Sequence, residues 1–460
     1  MAVTAAKIVV VGGGPVGMTV AHALTRAGID FVLLESRTSI VMAAGASLVM
    51  SQIGLRALSQ FGVLPAIEKA SSPLSICKRF DHQGRSIGDT KLFSYLHENH
   101  GCASRVITRR DLMQVLFDAL PDEAQSKLIP NKKVSSLDRT SDGVVVKCTD
   151  GTSYEGALVI GADGAYSAVR KHMAAMDGQQ QDDEDKEKEE EPPYLTTYRC
   201  FWMRFPRLPG IAPGDMTESH GPGATTQYFA GEDSAVVAVY ERLPQPTRRP
   251  PRRYTEEDEA AFVARWGHLP LNDHLTLGEA HAHRVQTGLI NLEEGVVADW
   301  SRGGRAVLVG DAAHKFTPST GAGCNNGIVD VVVLVNKLRN LFLTTTNINN
   351  NNNNNAVVLP EESELAAAFR EYQDARFQTV TFGCGLSGRA TNNASWATPW
   401  GKFMDLYVLS VDLVLRLLMR LAAGKTVRTP VFDFIEGEET VVGKYPWLHK
   451  IPRPQAKKMV

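Results

Sequence analysis

The chain is poor in the features that mark several protein classes. Its six cysteines (Cys77, Cys102, Cys148, Cys200, Cys324, Cys384) are scattered through 460 residues with no Cys-x-x-Cys spacing. That pattern excludes a dense disulfide framework or a paired-cysteine zinc site and fits reduced thiols in a cytosol-facing protein. Neither sign of charge dominates, since 49 Lys and Arg stand against 51 Asp and Glu. The two signs are well mixed, so nothing points to a nucleic-acid partner. The N-terminus has no basic n-region, and glycines break its apolar run, which argues against a signal peptide. No Ser/His/Asp or metal-ligand constellation stands out, so difficult chemistry would have to come from a bound cofactor.

What is present begins at once. Lys7 to Val11 is a short apolar run of the kind that forms a buried parallel strand. It leads into Gly12-x-Gly14-x-x-Gly17, then a helix-patterned segment Met18 to Ala27 stopped by Gly28, then a second apolar run, Phe31 to Leu34. Gly12 permits a tight turn, Gly14 lets backbone approach a pyrophosphate, and Gly17 allows close helix–strand packing. The helix start offers free N–H groups to phosphate. Glu35 lies 21 residues past Gly14, where an acid accepts hydrogen bonds from a ribose diol and disfavours a 2′-phosphate.

A second strand-then-turn unit stands some three hundred residues later. Arg305 to Val309 runs into Gly310-Asp311-Ala312-Ala313-His314, followed by Pro318-Ser319-Thr320-Gly321-Ala322-Gly323-Cys324-Asn325. Asp311 at a strand end suits a polyol hydroxyl. Gly321 and Gly323 at a helix start suit the pyrimidine edge of a flavin, where negative charge develops on reduction. Two such motifs in this order imply one FAD held at both ends by one chain.

At this point the sequence resembles the group A flavin monooxygenases, the para-hydroxybenzoate hydroxylase-like family, over roughly residues 7 to 345. Two further segments carry the resemblance: Leu158 to Gly164 with Ser167, Val169 and Arg170, and Thr108-Arg109-Arg110-Asp111-Leu112. Gly45-Ala46-Ser47, Leu55 to Leu58 and Phe61-Gly62 are most similar to the fungal epoxidase branch acting on prenylated and terpenoid intermediates. The resemblance implies that Glu35, Gly45, Arg109, Asp311 and the backbone of Gly323-Cys324 contact FAD. It also implies that Asp163 serves both FAD and a transient pyridine nucleotide. Cys324 is expected as a small buried residue rather than a catalytic thiol, and His314 as a shaper of its turn rather than a base.

The implied fold is α/β: a Rossmann-like FAD-binding domain with an inserted β-rich substrate domain and a C-terminal helical segment. The FAD-binding part is expected in residues 1–75, 103–178 and 285–345, and the β-rich part in 76–102 and 192–284. An acidic low-complexity loop (179–191) and an asparagine-rich loop (346–360) are read as solvated insertions. Residues 361–460 form the helical region. Within it, 403–421 reads as one helix with a broad apolar face and Asp405, Asp412, Arg416 and Arg420 in a narrow stripe. Asp412 and Arg416 form an i,i+4 pair. Four charges oppose a membrane span, which leaves docking on protein or lying in a membrane surface.

The implied activity is a monooxygenase in which NADPH reduces FAD, O2 adds at the flavin C4a carbon, and the hydroperoxide epoxidises or hydroxylates a lipophilic intermediate. An aromatic hydroxylase and a non-catalytic prenyl-protein-binding relative are the alternatives. Arg199, in Tyr198-Arg199-Cys200-Phe201-Trp202, is the candidate for polarising substrate or flavin, with a structural salt bridge as its other reading. Tyr228 and Tyr240 are candidate hydroxyl donors or core aromatics. The expected location is cytoplasmic or cytosol-facing membrane-associated, the endoplasmic reticulum included. The oligomeric state stays open.

Overall fold

The computed structural model describes residues 7–42, 47–173, 176, 193–248, 253–351 and 359–454, with backbone only for 345–351. Gly45 and the acidic run 179–191 lie outside them.

Buried, β-branched runs form the central sheet. Its six strands lie in the order Ser301–Arg302, Ala306–Leu308, Leu158–Gly161, Ile8–Val11, Phe31–Leu34 and Leu128–Ile129. All pair in parallel except the first, which is antiparallel to its neighbour. Helix Pro15–Ala27 connects Ile8–Val11 to Phe31–Leu34 and ends at Gly28, whose left-handed backbone returns N–H donors to Leu24 and Thr25. The small meander Val134–Arg139, Val144–Cys148, Ser153–Gly156 forms as its alternation predicts.

The β-rich layer is a seven-stranded sheet. Its order is His314–Lys315, Gln286–Val296, Leu195–Pro206, Ser234–Thr247, Ala224–Ala230, Met216–Gly221 and Cys77–Asp81. Cys77–Asp81 thus joins residues far along the chain, pairing in parallel with Met216–Gly221. Gln286–Val296, expected within the FAD-binding part, belongs here instead, because it pairs along Leu195–Pro206. One face of this sheet packs on helix Glu256–Trp266 through Phe201, Met203, Phe205, Tyr228 and Phe262. The other face looks toward the FAD-binding layer.

Two long helices join the layers. Ala322–Asn351 begins at the glycine pair expected at a helix start and carries helical backbone into the asparagine run, where the composition predicts a loop. Glu362–Ala394 is a 33-residue helix that buries Leu365, Phe369, Tyr372, Arg376, Val380, Cys384, Ser387 and Thr391 along one stripe. That stripe starts beside the central sheet, where Tyr372 donates to Leu308 O (3.1 Å), and ends under the β-rich layer, where Tyr198 donates to Asn392 Oδ1 (2.7 Å).

The segment 403–421 is not one helix. Helix Pro399–Phe403 widens into a turn at Met404–Val408, where Leu409 N reaches back to Met404 O, and a new helix runs Asp412–Thr426. The break follows from Asp405, which turns inward to Arg79, His220 and Trp396 and is buried. Its charge therefore leaves the expected outer stripe. Asp412 accepts a hydrogen bond from Tyr95 (2.7 Å) rather than pairing with Arg416.

Candidate active site

The first turn is built by backbone contact. Gly12 has φ +104°, and a Cβ there would stand 2.4 Å from Ala162 O; one on Gly17 would stand 1.9 Å from Gly12 O. Only glycine permits this packing of turn, helix and the Leu158–Gly161 strand. No side chain caps the helix that starts at Pro15, so its first N–H groups stay available to an anion. Glu35 closes the pocket floor: Oε2 accepts from Gly13 N (2.7 Å) and Oε1 from Arg37 N (2.8 Å). Oε1 also accepts from Ser36 Oγ (3.2 Å), so Oε2 is the oxygen with a lone pair left for a ribose hydroxyl.

Arg109 opens helix Arg109–Asp118, which Thr108 caps by accepting from Asp111 N. Its Nη2 lies 3.1 Å from where a Gly14 Cβ would be. Among the described residues the guanidinium has no ion-pair or hydrogen-bond partner; burial and the neighbouring Arg37 lower its pKa, against a smaller opposing pull from Asp311 and Glu35. A half-buried cation left unpaired beside a pyrophosphate turn is a fitting anion site. Gly13, Gly14, Glu35, Arg37, Ile40, Arg109 and Met113 line one cleft.

At the other end, the Asp311 carboxylate also meets no partner among the described residues; its Oδ1 lies 3.6 Å from a notional Cβ on Gly323. Asn325 pins the helix start, donating to Gly321 O and Val49 O (both 2.8 Å) and accepting from Ser51 N (2.9 Å). Burial pushes the Cys324 thiol up to about 12, so it stays protonated at neutral pH. His314 is wholly buried on Asp330 (2.5 Å).

The Asp163 carboxylate is committed to local structure. It accepts from Ser167 Oγ (2.6 Å), Ala168 N (2.7 Å) and Val169 N (3.1 Å), capping helix Ala168–Met173. Arg170 from that helix donates to Ala165 O (2.6 Å) and Ala312 O (2.7 Å), which ties this motif to the Asp311 turn. Tyr194, beneath it, donates to Asp311 O (2.9 Å).

The three residues proposed for chemistry separate by strand face. Arg199 shares the face of Phe201 and Met203, away from the FAD-binding layer. It is ion-paired with Glu241, which also holds Arg265 (3.0 Å), and lies over Phe262. The structural salt bridge is thus the reading the geometry supports, because strand alternation turns Arg199 outward once Cys200 faces in. Tyr228 is on the same outer face, buried against Phe205. Tyr240 alone faces inward, donating to Gln227 Oε1 (2.9 Å).

Tyr240 leads to a polar cluster that the sequence reasoning did not identify. Gln227 Nε2 donates to Glu218 Oε1 (2.7 Å) and to Ser319 O (2.8 Å), the latter in the turn just before Gly321. His220 Nε2 lies 3.1 Å from Glu218 Oε2, and its Nδ1 2.9 Å from Asp405 Oδ2. Arg79 meets Asp405 at 3.1 Å. Burial works against charge on His220, but its hydrogen bonds to Asp405 and Glu218 outweigh that and raise its pKa to about 9. Two signals were present: alternate polar residues, Glu218 and His220, on one strand face, and a lone acid, Asp405, in an apolar stretch.

These arrangements define a flavin-dependent oxygenase, and the chain belongs to the group A FAD-dependent monooxygenases. The family described as an FAD binding domain matches residues 5–187 and 246–345. The FAD-dependent monooxygenase DEP2 of Alternaria brassicicola is 29% identical over 440 residues, 94% of this chain and 80% of that protein. The FAD-dependent monooxygenase cdmI of Talaromyces verruculosus is 33% identical over 73% of this chain and 69% of its own. Among solved structures, Klebsiella pneumoniae HpxO complexed with FAD and uric acid aligns with TM-score 0.68 at 21% identity, covering 92% of this chain and 97% of that one. The 2,6-dihydroxypyridine-3-hydroxylase from Arthrobacter nicotinovorans aligns with TM-score 0.65 at 18% identity over 85% and 93%. The protein is an FAD-binding oxidoreductase.

Replacing Arg109 or Asp311 by alanine is expected to weaken FAD retention about 10- to 100-fold each, the loss of one hydrogen bond to a charged group. Flavin absorbance per purified chain checks this, and undiminished occupancy in both variants would remove the assignment. Stability should also respond to His220. Because its folded pKa is raised, its contribution is fully present below about 6.5, the ordinary histidine value, and lost as pH rises through about 9. Melting temperature should fall more steeply over that range for the parent than for His220→Gln; parallel curves would contradict it.

Proposed function

We propose that the protein uses NADPH and O2 to epoxidise or hydroxylate a lipophilic, prenylated or terpenoid intermediate of secondary metabolism. Bound FAD supplies the activation of dioxygen: one oxygen atom enters the substrate, the other leaves as water, and NADPH with a proton supplies two electrons. The chain's own part is to hold the cofactor at Glu35, Arg109 and Asp311, exclude water, and orient the substrate.

One observation carries the lipophilic reading. On the inner face of the seven-stranded sheet, Trp202, Ala238, Gly288 and Ile290 form a neighbouring set that is incompletely buried, and Ile290 is 47% exposed. An apolar wall left open on the side facing the Pro318–Gly323 turn suits an apolar substrate. The solved relatives named for uric acid and a dihydroxypyridine keep an aromatic hydroxylase as the second reading. Incubation with 18O2 and NADPH decides between them. Label is expected in products from prenylated substrates and not from simple phenols; the reverse result would favour aromatic hydroxylation.

The same reading places the protein on an anionic membrane surface, where such substrates collect. Trp400 stacks on Phe403 at 5.5 Å, Tyr407 meets Phe403 tilted at 5.6 Å, and Trp400 is 67% exposed. Leu413, Leu417 and Leu421 follow at i,i+4 spacing, Leu413 being 76% exposed. Exposed Lys402, Arg416, Arg420, Lys425 and Arg428 flank them, against one exposed acid, Asp412. Aromatic and leucine side chains beside basic ones suit a headgroup boundary. No helix among the described residues is long and apolar enough to span. Sedimentation with phosphatidylserine-containing vesicles is expected for the parent and lost in a Trp400→Ser, Leu417→Ser variant. Soluble parent, or a dimer formed through this face, would overturn membrane docking.

A further inference from the structure

We propose that Glu218 is a substrate-binding residue, its carboxylate accepting a hydrogen bond from a hydroxyl group on an otherwise apolar substrate. The proposal rests on the monooxygenase reading and the apolar inner wall, and names the polar contact that wall contains.

The carboxylate of Glu218 is the most exposed charged group of its cluster. Asp405 uses both oxygens, with Oδ1 on Arg79 and His220 and Oδ2 on His220 and the Trp396 indole (2.9 Å). His220 uses both ring nitrogens, Nδ1 on Asp405 and Nε2 on Glu218. Gln227 spends both amide N–H groups on Glu218 and Ser319 O, and its Oε1 accepts from the buried Tyr240 hydroxyl. A carboxylate has about four acceptor positions. On Glu218 two go to Gln227 and His220, which leaves the rest unused among the described residues. Its side chain is 17% exposed, while those of His220, Asp405 and Arg79 are 4–5% exposed. The carboxylate with spare capacity therefore borders open space.

Location adds to this. The Glu218–Gln227–Ser319 chain reaches the turn ahead of Gly321, so a hydroxyl held by Glu218 lies on the side of the sheet that faces that turn. Two positive partners, His220 and Arg79, balance Glu218 and Asp405 and hold the Glu218 carboxyl below its ordinary pKa against burial. The group is thus an ionised acceptor that orients a hydroxyl, not a base that removes its proton.

The test uses FAD-loaded protein titrated with 4-prenylphenol and with its methyl ether, followed by perturbation of the flavin absorbance. The parent is expected to bind the phenol about tenfold or more tightly than the ether, as a hydrogen bond to a charged acceptor provides. Glu218→Gln should bind both alike with unchanged FAD content, and Glu218→Asp, which keeps the charge, should retain part of the preference. Equal affinities in the parent, no perturbation by either compound, or a preference that survives in Glu218→Gln overturns the proposal. FAD occupancy and NADPH oxidation of the parent are recorded in the same samples. Failure there falls on the monooxygenase reading instead.

Discussion

The carboxylate of Asp330, wholly buried, accepts from three directions: Gly310 N (3.1 Å), His314 Nε2 (2.5 Å) and Arg376 Nε (2.7 Å). A buried carboxylate is tolerable only when its lone pairs are matched in this way. Its partners come from the Asp311 turn, from the short strand that follows it, and from the long helix Glu362–Ala394. The turn is thereby fixed with the Asp311 carboxylate free. The helix is fixed at Arg376, and further along it Thr391 meets Ser319 (2.7 Å) and Ser387 meets Thr320. The Asp311 turn and the helix that packs on the Pro318–Thr320 turn are thus both referenced to one charge.

The distribution of satisfied and unsatisfied polar groups separates scaffold from site. Asp163 is spent on a helix cap, Glu241 on two arginines, and Asp330 on its three donors. Arg109 and Asp311 find no partner among the described residues, and Glu218 keeps an open edge. Polar capacity that the fold does not use is what a cofactor or substrate can use. The C-terminal region takes part in both roles: Asp405 closes the cluster behind Glu218, while the aromatic and leucine side chains around it stay outside.

Much of the fold was legible where the signal was local. The Gly12–Gly17 turn and the buried strands Ile8–Val11 and Phe31–Leu34 follow from short-range pattern and form as read. Helix lengths were less legible. Glu362–Ala394 continues past its apolar periodicity because Arg376, Ser387 and Thr391 are buried through specific polar partners that no pattern of hydrophobic residues reveals. The break within 403–421 has the same origin, an acid pulled inward by a histidine and an arginine distant in sequence.

By itself the sequence determined the cofactor-binding half: which glycines allow close backbone approach, and which acids and arginine stand at strand and helix ends beside them. Those properties follow from backbone sterics and positions within one βα unit, so a single segment suffices to encode them. Only the tertiary structure decided the substrate side. Whether Arg199 or Cys200 faces inward depends on register and on which layer covers which sheet face, and a shift of one residue reverses the answer. Arg199 and Tyr228 therefore went to the scaffold. Glu218 and His220, together with an aspartate 185 residues beyond the histidine, became the polar heart of the inner face.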